Sequence, residues 1–598
     1  MSAPASRPDL ETRRHSLAHV LAQAVEQLYP HAKKTIGPAV ENGFYFDFDF
    51  GEVQITEAEL KEIEKKMKHI VRQGQKFVRV EMTKDEALAK ATGVEANPYK
   101  AEIINDLSAK DGTSVFSYYQ NLDQNGKNVY EDLCRGPHVE STAQIPDDSF
   151  KLEKLAGAYW RGDAKNRMLT RIYGLAFDSK AELDAYVKMI EEAKKRDHRV
   201  LGKKLKLFTL SDLVGSGLPL LQPHGMIIRQ AVSDYLWELH KGKGYQRVWT
   251  PHLAKEALYQ TSGHAGHYLD DMFSVFGGTS KEKFHLKPMS CPHHMQIFAD
   301  NQFSYRDMPV RYFEPATVYR DEKTGQLSGL TRVRSITQDD GHLFCRVSQI
   351  EQEVSTIVGI IKEFYATMGM LDGYWVRFST RGADKSAYLG GDEVWNTAEG
   401  ALKAAAESNK LPYKIGEGEA AFYGPKLDFM FKDAIGREWQ LATIQCDFNL
   451  PQRFELEFTN EKGEKERPVV IHRAISGSLE RFMGVMIEHF AGNFPLWLSP
   501  VQAMVVPVSE KFDEYASKVH AALEAADLRT QVDRSDDGLG KKIRNAEQAH
   551  VPYMLVVGEK ESADGTVSVR SRKSKDQSPM ALADFVAKAV AEAKTRAL

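Results

Sequence analysis

The sequence predicts a multidomain α+β protein, on three observations. The chain has 598 residues, more than one hydrophobic core usually serves, so we expect roughly three or four domains. Stretches that alternate apolar and polar residues occur beside stretches with apolar residues at helical spacing. The C-terminal part alternates short apolar strands with helices, as a small α/β domain does.

The N-terminal region, 1–204, predicts one α+β domain. "RRHSLAHVLAQAVEQLYPHA" (13–32) has helical periodicity, and "NGFYFDFDF" (42–50) alternates like a strand. A Thr-x-x-Glu capping box at Thr56 opens an amphipathic helix. A second box at Ser179 opens a long charged helix, which runs into the basic segment "KKRDHRVLGKKLKLF" and closes the domain.

Two further domains are predicted after this helix. Residues 205–498 mix aromatic-rich strands with helices, and "FPLWLSP" (494–500) is typical of a boundary. In 499–598, "VQAMVVPV", "LRTQVD", "PYMLVVG" and "TVSVR" read as strands separated by helices, with a final helix at the end.

Composition excludes several classes of protein. Hydrophobic residues make up 42% and charged residues 27% of the chain, values typical of a soluble globular protein. No apolar run is long enough to span a bilayer, and the first residues lack the apolar core of a signal peptide. The four cysteines form no disulfide framework, which indicates a reducing compartment. We therefore expect a cytoplasmic protein without membrane contact.

Two histidine pairs suggest a site in the first domain. His15 and His19 are four apart on the predicted helix, on the face opposite the leucine stripe, so we expect them to face solvent or a cleft. "DLCRGPH" supplies Cys134 and His138 on a turn. The set would suit zinc or a water-activating pocket without metal, and two unrelated surface features would give the same pattern.

Arginines in the middle domain suggest a nucleotide site. Arg320 precedes a glycine-containing hairpin loop, Arg332 and Arg334 follow it, and Arg481 lies on a helix after a strand. The guanidinium fork matches phosphate geometry and never deprotonates. Since no Walker or Rossmann glycine motif is present, a different nucleotide-binding architecture is indicated.

These segments resemble motifs 1, 2 and 3 of class II aminoacyl-tRNA synthetases, with Pro251, then Arg320 and Glu322, then Arg481 as signature residues. More narrowly, "KPMSCPHHMQIF", "TQDDGHLFC", "AFYGPKLDF" and "VVIHRAISGSLERF" are similar to the threonyl-tRNA synthetase family. The resemblance covers essentially the whole chain. It implies an N-terminal editing domain, a catalytic domain built on an antiparallel β-sheet flanked by helices, and an anticodon-binding domain.

The resemblance also implies a zinc ion held by Cys291, His342 and His472. One thiolate and two imidazoles suit zinc, and three protein ligands leave a fourth position for substrate. In the family this metal binds the amino group and hydroxyl of threonine, so valine is rejected.

The remaining roles are implied position by position. Arg320 and Arg481 would hold the α- and γ-phosphates of ATP, whose phosphates magnesium bridges, and His264 matches a histidine implicated in transfer to the tRNA ribose. Other residues implied for the nucleotide are Glu322, Arg332, Gln440, Thr443 and Ser478, and those implied for threonine are Met289, Gln338, Asp340, Tyr423 and Gln445.

The resemblance gives the N-terminal residues a role as well. Serine keeps the hydroxyl, and one missing methyl provides only about 1–3 kcal/mol of discrimination, so a second, hydrolytic site is needed. His15, His19, Cys134 and His138 match the family's editing pocket, which favours water positioning without metal, although the related alanyl editing domain holds zinc. Further candidates there are Lys100 and Asp132.

The expected partners are tRNA(Thr), ATP, L-threonine and a second copy of the chain, because motif 1 contributes to dimers in this class. Asp536, Glu561 and Arg570 match positions that read the anticodon, and Arg572, Lys573 and Lys575 add positive charge near Arg570.

Several positions depart from the family pattern. His15 comes too early for the small ubiquitin-like domain that bacterial-type relatives carry, so we expect a form without it. The other departures are Ile336, Ser290, His293, Ala265 and Asp536. A synthetase-like protein that binds tRNA without ligase activity is the main alternative, and a paralogue that charges another amino acid is a third.

Overall fold

The structure is a computed structural model that describes residues 8–163, 165–279, 281–574 and 577–598. Residue contacts divide the chain into an N-terminal unit that ends at Glu191 and a C-terminal unit that begins at Glu192, inside one helix. The three domain ranges given above stay predictions. In the described part of the chain, no helix is both long enough and apolar enough to cross a membrane.

The N-terminal unit combines five helices with two sheets. Its helices are α1 (Leu10–Leu28), α2 (Glu57–Arg72), α3 (Lys84–Thr92), α4 (Pro98–Asp111) and α5 (Lys180–Arg196), which continues into the C-terminal unit. Its strands are β1 (Lys33–Lys34), β2 (Ala39–Val40), β3 (Gly43–Asp49), β4 (Lys76–Thr83), β5 (Val115–Leu122), β6 (Asn128–Leu133), β7 (Phe150–Tyr159) and β8 (Met168–Ala176). One sheet has the order β1-β3-β8-β7, with β2 also on β3, and the other has the order β4-β5-β6.

Local sequence explains the start of α2, whereas tertiary contacts decide the burial of α1. The predicted capping box at Thr56 and Glu59 opens α2. The buried surface of α1 differs from its leucine stripe. Ala22, placed on the opposite face, is fully buried, whereas Leu28 of the stripe is 37% exposed. The reason is that α1 packs against α2 and against strands of both sheets, β3 and β6.

The C-terminal unit contains thirteen further helices in the described residues. They are α6 (His198–Lys204), α7 (Pro223–Lys241), α8 (Glu256–Ser262), α9 (His264–Tyr268), α10 (Cys291–Ala299), α11 (Ile350–Thr367), α12 (Asp392–Ser408), α13 (Leu450–Arg453), α14 (Leu479–His489), α15 (Asp513–Ala525), α16 (Leu539–Gln548), α17 (Glu559–Asp564) and α18 (Leu582–Thr595).

The strands of this unit form one large sheet and several smaller ones. They are β9 (Phe208–Thr209), β10 (Leu220–Leu221), β11 (Gln246–Arg247), β12 (Leu253–Lys255), β13 (Ser274–Phe276), β14 (Lys283–Leu286), β15 (Phe303–Ser304), β16 (Val310–Tyr319), β17 (Ser335–Cys345), β18 (Trp375–Thr380), β19 (Tyr413–Glu417), β20 (Lys426–Lys432), β21 (Glu438–Asp447), β22 (Phe458–Thr459), β23 (Lys465–Glu466), β24 (Val469–Ser478), β25 (Ala503–Pro507), β26 (Thr530–Val532), β27 (Tyr553–Val557), β28 (Thr566–Ser571) and β29 (Gln577–Ala581).

The large sheet has eight strands in the order β11-β16-β17-β24-β21-β20-β18-β19 and is antiparallel except at its two edges. Its centre is fixed by a buried ion pair. Asp339 on β17 accepts hydrogen bonds from the backbone N–H groups of Ile475 and Ser476 at 2.8 and 3.0 Å, and Arg473 lies 3.3 Å away. These contacts set the pairing of β17 with β24.

The C-terminal end folds around a five-stranded sheet in the order β26-β25-β27-β28-β29, with a core of its own. The strands expected in "VQAMVVPV", "LRTQVD", "PYMLVVG" and "TVSVR" are β25 to β28. The sequence reasoning did not name α17 or the edge strand β29.

Candidate functional site

The N-terminal unit brings the predicted histidine pairs together. Cys134 Sγ lies 3.2 Å from His15 Nε2 and 3.4 Å from His138 Nε2. The ring of His19 lies 4.2 Å from that of His138, centroid to centroid. All four side chains offer ligand atoms within 4.8 Å of one another.

Neutral groups hold these imidazoles in place. His15 Nδ1 donates to the carbonyl oxygen of Pro137 at 3.1 Å. The hydroxyl of Ser16 donates to the carbonyl of Thr12, so it accepts from His138 Nδ1 at 3.1 Å. Both rings therefore turn an unprotonated Nε2 toward Cys134.

A cavity of about 320 Å³ opens beside this cluster and is lined by His15, His19 and Cys134. Lys100 and Asp132 also line it, paired at 2.9 Å and both almost fully buried. The expectation that the helical histidines face a cleft is confirmed.

Burial controls protonation here. It lowers the pKa of His15, His19 and His138, and the neighbouring imidazoles add to the effect for the last two. Burial also raises the pKa of the Cys134 thiol to about 11. At neutral pH the cluster is therefore uncharged, and its groups can position water by hydrogen bonding.

In the C-terminal unit, neighbouring strands place the second cluster. Residues 338, 340 and 342 alternate along β17 and so share one face. His342 pairs directly with His472 on β24, and Cys291 begins α10. The ligand atoms of these three residues all lie within 4.8 Å of one another, and all three side chains are buried. The thiol and two imidazoles fit a zinc ion with an open position.

Carboxylates stand behind both imidazoles of this cluster. His472 Nε2 donates to Asp447 at 2.9 Å, which leaves Nδ1 free. His294 Nε2 donates to Glu314 at 3.0 Å, so His294 Nδ1 accepts from His342 Nδ1 at 2.7 Å and His342 Nε2 is left free. Each ring thus offers a metal one lone pair, backed by a carboxylate directly or through one histidine.

Protonation in this cluster depends on burial. Burial, with the nearby carboxylates of Asp340 and Asp447, raises the pKa of the Cys291 thiol well above its usual value. Burial lowers the pKa of His342, which is neutral and able to coordinate. A cation would favour the thiolate, since a coordinating thiol is deprotonated.

The residues implied for threonine lie on elements around this cluster. Gln338 and Asp340 share the face of β17 that carries His342, and Gln445 on β21 pairs with His472. Tyr423 stacks on His472 and donates to Gln445. Met289 Sδ lies 3.1 Å from His264 Nε2.

Two of the family departures also lie here. Ser290 is fully buried and donates to the Asp340 carboxylate. His293 is buried, and neither of its ring nitrogens has a hydrogen-bond partner among the described residues. The sequence offers no direct indication of either arrangement.

The residues implied for ATP differ in whether their side chains already have a hydrogen-bond or ion-pair partner in the protein. Glu322 pairs with Arg332 at 2.7 Å. Arg481 follows the Ser478 N-cap of α14, and its Nε has no partner among the described residues. Burial and the nearby Arg332 lower the pKa of Arg481, as expected for cations that converge on an anion site.

Two other nucleotide candidates are already engaged. Gln440 accepts from Arg377 at 2.9 Å, and Thr443 donates to Asp428 at 3.1 Å. Arg320 follows β16, where its backbone N–H donates to the carbonyl of Arg334 at 3.0 Å.

His264 lies against the cluster of Cys291, His342 and His472, with its Nε2 3.6 Å from Cys291 Sγ. The Ser262 hydroxyl donates to a backbone carbonyl and therefore accepts from His264 Nδ1 at 2.8 Å, which leaves Nε2 as an acceptor. Burial lowers the pKa of His264 to about 3, so the ring is neutral.

The anticodon candidates lie on separate elements. Asp536 is exposed before α16, Glu561 caps its own helix at Gly558, and Arg570 on β28 pairs with Glu547 at 2.9 Å. Arg572 of the basic cluster donates to backbone carbonyls, and Lys575 lies outside the described residues.

The sequence reasoning missed the groups that orient the candidates, namely Ser16, His294, Glu314 and Asp447. Ser16 directly follows His15, and His294 lies one turn beyond Cys291, so position alone gave a weak signal for these two. Glu314 lies on β16 beside β17, and Asp447 lies on β21 beside β24, so only the sheet order relates them to His342 and His472.

Comparisons with known proteins match all three regions. The tRNA synthetase class II core domain (G, H, P, S and T) matches residues 275–490, and an anticodon binding domain matches 502–592. The threonyl and alanyl tRNA synthetase second additional domain matches residues 120–173.

Whole-chain relatives decide the family. The threonine–tRNA ligase of Gloeobacter violaceus is 48% identical over 94% of this chain and 88% of its own length. The threonine–tRNA ligase of Thermus thermophilus is 46% identical over 99% of this chain and 90% of its own length. The chain belongs to the threonine–tRNA ligase family.

Solved structures agree with this membership. The RNA binding domain of threonyl-tRNA synthetase from Cryptosporidium parvum is 37% identical, with a TM-score of 0.63 over 66% of this chain and 98% of that one. A putative threonyl-tRNA synthetase from Aeropyrum pernix is 29% identical, with a TM-score of 0.57 over 67% of this chain and 96% of that one. The family resemblance and the α+β multidomain fold are thus confirmed, while the roles of individual residues in this threonine–tRNA ligase stay predictions.

Proposed function

We propose that this threonine–tRNA ligase activates L-threonine with ATP and transfers it to tRNA(Thr), and that it hydrolyses seryl-tRNA(Thr) in its N-terminal pocket. The observation that carries the proposal is the cluster of Cys291, His342 and His472, whose ligand atoms converge within 4.8 Å. Both imidazoles there are oriented by outer partners for coordination.

Selection of threonine is the first task of this cluster. A zinc ion held by these residues would take the amino group and hydroxyl of threonine as ligands, and valine offers no hydroxyl. The Asp340 carboxylate shares the face of His342 and is placed to accept the substrate hydroxyl. An apolar pocket alone separates such isosteres only weakly, which supports a polar site.

Activation then needs positioning and charge stabilisation. The threonine carboxylate attacks the α-phosphorus of ATP, the bond to the bridging oxygen breaks, and pyrophosphate leaves with magnesium. We assign Arg320 to the α-phosphate and Arg481 to the γ-phosphate, and we assign Glu322, Arg332 and the remaining nucleotide candidates to ATP binding.

Transfer to tRNA needs a group that takes the proton of the ribose hydroxyl as it attacks the acyl carbon and AMP leaves. His264 is neutral, and the hydrogen bond from its Nδ1 to Ser262 leaves Nε2, which lies beside Met289 Sδ, as the acceptor nitrogen. We assign this positioning and acceptor role to His264.

We assign the hydrolysis of seryl-tRNA(Thr) to the N-terminal cluster. Serine has the hydroxyl group that the cluster of Cys291, His342 and His472 selects, so that cluster cannot reject it. All four groups are uncharged, and His15, Cys134 and His138 are hydrogen-bonded to neutral partners, which supports positioning of a water molecule by His15, His19, Cys134 and His138 without a metal. The Lys100–Asp132 pair lines the same cavity and is suited to hold the polar groups of the substrate.

The remaining assignments concern partners. We assign Asp536, Glu561 and Arg570 to the anticodon. Trp249, next to Pro251 in motif 1, is 74% exposed, which supports a homodimer contact there. Four free cysteines support a cytoplasmic location.

The test is ATP–pyrophosphate exchange with threonine, serine and valine, before and after chelation. We expect exchange with threonine and serine, little with valine, and loss of exchange when zinc is removed. Zinc content should be one equivalent per chain, and two equivalents would contradict a metal-free editing pocket. If no amino acid supports exchange while zinc is bound, the non-catalytic tRNA-binding alternative replaces this proposal.

A further inference from the structure

His198, on α6, makes three buried hydrogen bonds to parts of the chain far away in sequence. Its Nδ1 lies 2.6 Å from Glu488 Oε1 on α14, and its backbone N–H donates to the same oxygen at 3.0 Å. Its Nε2 accepts from the backbone N–H of Leu330 at 3.0 Å. His198 and Glu488 are 3% and 5% exposed.

The hydrogen bonds fix the state of this ring. The backbone N–H of Leu330 can only donate, so Nε2 carries the lone pair and Nδ1 carries the proton that goes to Glu488. Burial would raise the pKa of Glu488, but the bonds from His198 and the charge of Arg437, which forms an ion pair with Glu488, together lower it, so the carboxylate is ionised. Although Asp197, His198 and Glu488 lie within coordinating distance of one another, both ring nitrogens are already used.

The loop that carries Leu330 packs tightly at this point. Gly329 has φ +49°, and a Cβ there would lie 2.1 Å from His198 Nε2. A Cβ on Gly484 of α14 would lie 3.0 Å from Thr331 and 3.4 Å from Leu330. The loop and α14 are thus in direct contact, with the His198 ring at the same junction.

Both sides of this junction carry arginines that the proposed function assigns to ATP. Arg332 follows the contact by two residues, and Arg481 lies on α14, two turns before Glu488. The charge of Arg332 contributes to lowering the pKa of Arg481, so the two guanidinium groups are close enough to interact.

We propose that His198 is a positioning residue for ATP. It holds the loop segment 328–331 against α14, so that Arg332 and Arg481 keep the spacing that the triphosphate requires. His198 acts through these two elements and does not touch the nucleotide. The inference rests on the proposed function, since it assumes that ATP binds between the loop and α14.

Two substitutions separate the two side-chain hydrogen bonds. The amide of His198→Asn overlaps the Nδ1 position, so it keeps the bond to Glu488 and loses the bond to Leu330. The amide of His198→Gln reaches the Nε2 position, so its oxygen can accept from Leu330. The side-chain bond to Glu488 is lost, but the backbone N–H of residue 198 still donates to Glu488 and keeps the link to α14. His240→Asn is the matched control, because His240 is a fully buried histidine whose Nδ1 donates only to the carbonyl of Leu236.

We measure the Kd of ATP, the KM values for ATP and threonine, and hydrogen exchange of the loop 320–334. One lost hydrogen bond corresponds to about a fivefold change. H198N should therefore raise the Kd and KM for ATP about fivefold, leave the KM for threonine unchanged and accelerate exchange at Leu330. H198Q and H240N should leave the Kd for ATP within about twofold of the wild type.

Equal effects of H198N and H198Q on ATP, or an equal rise in the KM for threonine, would overturn the inference and leave His198 a purely structural residue. Unchanged loop exchange in H198N would do the same. If the wild type binds ATP but gives no pyrophosphate exchange, the ligase proposal fails, whereas the Kd and loop measurements still decide the role of His198.

Discussion

The two histidine–cysteine clusters are built from the same residue types but differ in what stands behind them. In the C-terminal cluster, His472 is backed by Asp447, and His342 is backed by Glu314 through His294. In the N-terminal cluster, the partners of His15 and His138 are a carbonyl and a hydroxyl.

This difference shows why ligand type alone does not predict a metal. A carboxylate behind an imidazole raises its basicity and offsets the charge of a bound cation. In the N-terminal pocket the carboxylate of Asp132 is already paired with Lys100. This difference is the basis for proposing zinc at one cluster and hydrolysis without metal at the other.

Replacing the cysteine of each cluster should have the largest effects on activity, and the two replacements should affect different activities. Cys291→Ser should lower zinc content and reduce threonine-dependent pyrophosphate exchange more than about a hundredfold, because a coordinating thiolate is lost. Cys134→Ser should leave zinc content and exchange unchanged and abolish hydrolysis of seryl-tRNA(Thr). Metal analysis and the two assays test this. A loss of zinc in the Cys134 variant would contradict the proposal that the N-terminal cluster holds no metal.

Substitution of the residues that hydrogen-bond the imidazoles from outside each cluster should have intermediate effects on zinc binding. Asp447→Asn keeps an acceptor oxygen for the backbone N–H groups of residues 449 and 450 but removes the charge behind His472. We expect about 10–100-fold weaker zinc binding in competition with a chromophoric chelator. Ser16→Ala is the matched change in the other unit and should leave zinc binding unaltered. Equal zinc affinity in Asp447→Asn and the wild type would show that the backing carboxylate does not matter.

The smallest expected effect concerns the pH dependence of seryl-tRNA(Thr) hydrolysis. An imidazole with a pKa of about 6.5 is half protonated at that pH. Since burial lowers the pKa of His15, His19 and His138, these rings stay neutral as pH falls from 8 to 6.5. The enzyme-dependent hydrolysis of seryl-tRNA(Thr), corrected for spontaneous hydrolysis, should therefore show no histidine inflection in this range. An inflection near pH 6.5 would mean that the rings are solvated when substrate is bound.

Local patterns in the sequence predicted much of the fold. Alternation identified β3, and a capping box identified the start of α2, because both depend on neighbouring residues. Two i, i+4 pairs suggested the N-terminal cluster, and the family resemblance assigned it. The full burial of α1 was not predicted, because contacts with two sheets cannot be read from one helix.

Long-range partners could not be predicted in this way. Glu314 reaches His294 from the strand beside β17, and His198 reaches Leu330 across 132 positions of the chain. Such contacts depend on strand order and loop packing, which the periodicity of a single segment does not encode. The family resemblance supplied the ligands, and the structure supplied the groups that orient them.

The buried Asp339–Arg473 pair has a consequence for how this site can change. Asp339 and Asp340 are adjacent and point to opposite faces of β17, one into the core and one toward the substrate side. Loss or gain of one residue in the strand would exchange the two carboxylates and turn His342 away from Cys291. New amino acid preferences in this lineage are therefore accessible through side-chain replacement within β17, whereas insertions and deletions there would be eliminated by selection.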